Sequence, residues 1–99
     1  MPELPDPTPW CHRLLKPDGS STPYPPKGAH YTLEEMQHAV DGYIQIVHLK
    51  GGRLRHIMVI NEEGKIHGLP LNERATILYD GFPDCIVGNA VVCLDTDVD

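Results

Sequence analysis

The side chains of this 99-residue chain that could hold a metal or move a proton are six histidines, three cysteines and fourteen acids. His12, His30, His38, His48, His56 and His67 are scattered, with no i, i+4 pair to clasp an ion from one helix face. An open zinc site takes three protein ligands, such as two histidines and a carboxylate. The nearest approach is His48 with His56, which would share a sheet face if their strands pair around Leu49 and Arg55. Cross-strand histidines on a solvated face explain that pattern without an ion, so no metal ligand and no cofactor is assigned. A cysteine nucleophile needs a positioned base and electropositive surroundings. Cys11 and His12 are adjacent, and adjacent residues on a strand point to opposite faces. Cys85 and Cys93 lie in apolar runs, where a free thiol acts as a small hydrophobe. No catalytic residue is assigned, and the chain reads as a binding protein rather than an enzyme.

Polarity concentrates instead in residues 61–76, NEEGKIHGLPLNERAT. Asn61, Glu62, Glu63, Lys65, Asn72 and Arg74 surround a Gly-Leu-Pro hinge and are the candidate ligand- or partner-binding residues. Glu62 and Glu63 lack the burial or charged neighbour that separates two carboxyl pKa values in an acid/base pair. Gly51-Gly52 joins two strands, so it is no phosphate loop. Asn72 opens a predicted helix whose free N–H groups could receive an anion, with Lys65 or Arg74 adding charge. Self-capping by Asn72 competes for the same groups.

The elements that must position these residues can be read from spacing. Trp10 to Lys16 is a plausible first strand, ended by Pro17-Asp18-Gly19, and Ser20 to Gly28 is a proline-rich loop. Thr32-Leu33-Glu34-Glu35 is a capping box, with Tyr31 and Met36 placed as a hydrophobic staple. Leu33, Met36, Ala39 and Val40 form one apolar stripe, so a helix spans 33–41 and stops at Gly42. Tyr43–Leu49 and Leu54–Ile60 are strands around Lys50-Gly51-Gly52-Arg53, a hairpin signal. Both carry apolar residues on two faces, which puts the pair centrally, with one face more fully covered. Asn61 to Gly64 is a turn, Gly64 suiting positive φ, and Lys65-Ile66-His67 continues as a short strand. A second helix runs from the Asn72 cap to Asp80-Gly81, and Cys85–Leu94 reads as strand, Gly-Asn turn or bulge, strand.

The order matches a split βαβ-like α+β domain, two short helices on a four- to five-stranded antiparallel or mixed sheet, with both helices on one face. Residues 1–28 form a Pro-rich arm with a first strand at 10–16, residues 29–95 the core domain, and 96–99 an acidic tail. The expected core is Leu14, Leu33, Met36, Val40, Ile44, Ile46, Ile57, Val59, Leu78, Ile86, Val91 and Val92.

Composition narrows the partners. Net charge is −6, and Lys65 and Arg74 face eight acids over residues 61–99. That disfavours direct nucleic-acid binding, whose affinity comes from phosphate neutralisation. Three cysteines without a C-x-x-C pair argue against a disulfide framework. The N-terminus lacks a signal-peptide pattern, and apolar runs are far short of the roughly 20 residues of a membrane span. A cytoplasmic location follows as an expectation, with homo-oligomerisation left open.

The pattern YTLEEMQ…GYIQIVHL…NEEGKIHGLPLNERAT…IVGNAVV resembles a family of short phage, plasmid and bacterial proteins known only as a domain of unknown function. The resemblance covers roughly residues 31–93, and Asp41-Gly42 stands where the family has Gly-Gly. It implies an accessory protein of phage or mobile-element type that binds a host factor, as in counteracting host defence. The alternative is a small anion- or nucleotide-binding protein using the Asn72 helix end.

Overall fold

The computed structural model describes residues 8–49, 55–79 and 85–98. Five strands form one sheet in the order β2-β1-β5-β4-β3. They are β1 (Arg13–Leu15), β2 (Ser21–Pro23), β3 (Ile44–His48), β4 (His56–Asn61) and β5 (Ala90–Leu94). Two helices, α1 (Leu33–Val40) and α2 (Glu73–Tyr79), pack on it. The domain is thus α+β, as the spacing predicts.

Its wiring differs from a split βαβ unit. Every neighbouring strand pair is antiparallel, and the helices lie on opposite faces of the sheet rather than on one. The register gives the reason. Leu14, Val91 and Val59 align across β1, β5 and β4 on one face, while Leu15, Ala90 and Ile60 align on the other. Tyr31, Met36, Ala39 and Val40 pack against the first set together with Ile57 and Cys93. Ala75, Leu78 and Ile86 pack against the second together with Leu49, Met58 and Val92. All six residues of β4 are buried, which requires cover on both faces. Each large aliphatic side chain so buried contributes about 1.5–3 kcal/mol.

The capping box of α1 is formed: Thr32 Oγ1 accepts from Glu35 N at 3.1 Å, and Glu35 Oε1 accepts from Thr32 N at 3.1 Å. Its stop is Asp41, in the left-handed region at φ 59°, not Gly42. Leu33 and Ile46 are not core residues, being 56% and 39% exposed. Leu33 is the first helical residue, and Ile46 lies on β3, the open edge of the sheet. Fully buried Leu15 replaces them in importance.

Other local expectations are corrected. Ser21–Pro23, expected in a loop, is a strand, tolerated because β2 is an edge where Pro23 need not donate to the ladder. Trp10 ends a 3₁₀ turn (Thr8–Trp10), and the strand begins at Arg13. Lys65–His67 is a turn rather than a strand, with His67 N donating to Glu63 O at 3.0 Å. Gly64 does not have positive φ; it is small because a Cβ there would meet Val87 Cγ2 at 2.8 Å. Before β5, Val87 makes only an isolated bridge to Leu71. Asp95–Asp97 is a 3₁₀ turn whose Asp97 carbonyl accepts from Tyr31 N at 2.7 Å. The expected hairpin turn at 50–53 and helix end at 80–81 lie outside the described residues, as do residues 1–7 of the Pro-rich arm.

Candidate functional site

The structure does not gather the six polar residues of 61–76 into one site. Asn61 is buried: Nδ2 donates to Val40 O at 3.0 Å and to Asp41 O at 3.3 Å, and Oδ1 accepts from Glu63 N at 2.8 Å. It ties the end of α1 to β4. Asn72 is fully buried, with Nδ2 donating to Leu15 O at 3.0 Å and Gly88 O at 2.9 Å, while Oδ1 accepts from Ala75 N at 3.1 Å. The cap expected at Asn72 is there. Both amide hydrogens and the cap oxygen are engaged, and the cap takes the Ala75 N–H, one of the helix-end donors an anion would use. Glu62 is exposed and Glu63 half-buried on the turn, with Glu62 N donating to Tyr43 O at 2.9 Å. Asn61, Glu62 and Lys65 line one small concavity with Gln45 and Tyr79, separate from the one that holds Arg74.

Arg74 leads to a surface the sequence did not single out. Its guanidinium carbon lies 4.2 Å from the centroid of the Trp10 ring, a cation–π distance. The pair lines a groove of about 550 Å³ between the start of α2 and the β1–β2 turn, with Lys16, Asp18, Glu73 and Ile77. Asp18 is held by its own turn, Oδ1 accepting from Ser20 N at 2.8 Å, and hydrogen bonding from Ser20 keeps its carboxyl below the usual carboxylate range. Ile77 is 64% exposed at the rim. The only sequence signal for this surface is the tryptophan itself, and nothing local pairs it with a residue 64 positions away.

A second cluster was set aside in the sequence by the strand argument. Cys11 and His12 precede β1 instead of lying on it, and His12 has φ 59°, so alternation does not separate them. His12 Nε2 and Asp97 Oδ2 are 2.8 Å apart. One ligand atom each from Cys11, His12 and Asp97 lies within 4.8 Å of the others, and all three residues are half-buried. Burial first, and the Asp97 charge second, push the Cys11 thiol up. Both effects disfavour the thiolate, the reactive form of a cysteine nucleophile.

The histidine pair considered from spacing does not form. His48 opposes Ile57, on the α1 face, whereas His56 belongs to the α2 face with Met58 and Ile60. His48 is exposed and His56 buried, its Nδ1 without a hydrogen-bond partner among the described residues.

Fold and surface together define a small α+β domain in which the buried amides hold the structure and the accessible chemistry lies elsewhere. The family described as "Domain of unknown function (DUF3846)" matches residues 12–99, and the chain belongs to that family. No curated protein and no solved structure matches it. Among the described residues, no helix is long and apolar enough to cross a membrane.

Proposed function

We propose that this is a non-enzymatic accessory protein that binds a partner protein through the Trp10–Arg74 groove. The observation that carries the reading is the guanidinium stacked 4.2 Å from the Trp10 ring beside the exposed Ile77. Tryptophan and arginine are the side chains that most often dominate interface energies. A guanidinium already oriented by an indole also loses less freedom on binding. The groove's charges balance, Lys16 and Arg74 against Asp18 and Glu73. This favours a protein surface offering one carboxylate and an apolar side chain over a polyphosphate or nucleic acid. Asn72 Oδ1 occupies the Ala75 N–H, one of the helix-end donors that the small-anion alternative would use.

The resemblance to phage and plasmid proteins extends the reading to a factor of the host cytoplasm, defence proteins included. A photo-reactive side chain at position 77 should crosslink one discrete host protein. The double variant Arg74→Ala, Ile77→Ser, with an unchanged circular dichroism spectrum, should bind that protein at least about tenfold more weakly, a loss of about 1.4 kcal/mol. Equal binding by variant and wild type would eliminate the groove.

A further inference from the structure

We infer that Cys11 Sγ, the His12 imidazole and an Asp97 carboxylate oxygen form a binding site for one divalent cation of the zinc class, leaving a fourth position open. Magnesium and calcium take oxygen ligands, whereas thiolate with imidazole and carboxylate is a set that suits zinc. Among the described residues these three are a convergence of at least three potential ligands, with their atoms within 4.8 Å of one another.

The backbone holds them in register for this. His12 N donates to Val92 O at 2.7 Å, and His12 O accepts from Tyr24 N at 2.7 Å, so the residue is fixed between β5 and β2 despite its left-handed φ. Asp97 is fixed from the other end of the chain. Its carbonyl accepts from Tyr31 N at 2.7 Å, and its Oδ2 accepts from Leu94 N at 2.9 Å, the kind of outer bond that orients a ligating carboxylate. The Tyr31 ring stands edge-on to the imidazole with centroids 6.2 Å apart, limiting its rotation.

The geometry needs only small adjustment. Tetrahedral bonds of about 2.0–2.3 Å set ligand separations of about 3.3–3.7 Å. The 2.8 Å His12–Asp97 contact then opens by about half an ångström, and the widest separation, at most 4.8 Å, closes by about one. On binding, His12 Nε2 gives up the hydrogen it donates to Asp97, the neutral ring carrying its proton on Nδ1 instead, and Nε2 bonds to the metal. The Cys11 thiol loses its proton to solvent as the sulfur–metal bond forms. The result is a clasp between the first turn and the last, 85 residues apart.

The test titrates the full, untagged chain with Co²⁺ and then Zn²⁺. One Co²⁺ per chain should bind with a thiolate-to-cobalt charge-transfer absorption that Zn²⁺ abolishes and Mg²⁺ does not. Zinc at 100 times Kd should raise the unfolding midpoint by about 10–20 °C. Cys11→Ser should remove the absorption, and Cys85→Ser should leave it. His12→Asn, which tolerates positive φ, and Asp97→Asn should each weaken zinc by more than the about 10–100-fold typical of losing an outer-shell partner. X-ray absorption of the zinc-loaded wild type should show one sulfur ligand at about 2.3 Å, a readout independent of whether the variants fold. No sulfur ligand in the wild type, an absorption that survives Cys11→Ser, or wild-type zinc affinity in His12→Asn or Asp97→Asn would each overturn the site.

Discussion

Replacing Asn72 tests whether this residue is a strut or only a helix cap. Asn72→Ala removes the bond from Ala75 N to Oδ1, a cap worth about 1 kcal/mol. It also strips the Nδ2 donor from two buried carbonyls, Leu15 O and Gly88 O, at about 1–3 kcal/mol each. The sum is about 3–7 kcal/mol, against a total stability of about 5–15 kcal/mol for a domain of this kind. Asn72→Asp separates the roles, because aspartate caps as well as asparagine but cannot donate. Its second carboxylate oxygen would face carbonyl oxygens about 3 Å away where the amide now donates, so the aspartate variant should be at least as damaged as the alanine one. Urea unfolding followed by circular dichroism measures both, with the midpoint shift read at constant m. A near-neutral Asn72→Asp, or an alanine variant losing less than about 1.5 kcal/mol, would refute the strut and return Asn72 to the role of a simple cap.

Two further changes probe the frame. Asp41 ends α1 in the left-handed region at φ 59°, a conformation that costs a non-glycine residue about 1–2 kcal/mol; Asp41→Gly should therefore raise thermal-melt stability by about 0.5–1 kcal/mol, and a loss would mean that Asp41 has a stabilising contact of its own. Burial, followed by the Asp97 and Cys11 charges, pushes the Cys93 thiol up to about 12 from its ordinary 9.0. A raised folded-state pKa contributes stability that is complete below pH about 9 and is lost as pH rises toward 12, so Cys93→Val should flatten the alkaline fall in urea-unfolding stability, and an unchanged slope would assign that fall to another group.

How far the sequence could reach depended on whether a feature was local. The α1 capping box is four consecutive residues, Thr32 to Glu35, and it forms as spaced. The Asn72 cap was legible for the same reason. The helix faces were half legible: apolar residues on both sides of HIMVIN signalled two covered faces, yet the split βαβ analogy put both helices together. Burial at all six positions of β4 decides for opposite faces. Gly64 carried an ambiguous signal, since a glycine in a turn can answer a torsion or a lack of room, and only the Val87 side chain 2.8 Å from a would-be Cβ tells which. The groove and the Cys11–His12–Asp97 cluster were out of reach, because each joins residues far apart in the chain.

The last step concerns Trp10 to Arg13, a stretch that serves both sides of the sheet. Residues i and i+2 of a regular strand share a face, so an ordinary strand would send Trp10 and His12 the same way. Instead Trp10 packs against the α2-side core while the His12 ring meets Tyr31 on the α1 side. The 3₁₀ turn ending at Trp10 and the left-handed backbone of His12 break the alternation. Such an outlier in a non-glycine residue persists only where its surroundings over-determine it, here through its two 2.7 Å backbone bonds to β5 and to the start of the segment after β2. Alternation carried back from Leu14, which faces α1, would leave His12 on the Tyr31 side but would put Trp10 there too, away from Arg74. The irregular backbone of Trp10 to His12 therefore serves both accessible surfaces, whereas Asn61 and Asn72, which looked most like a site, spend their hydrogen bonds holding the frame.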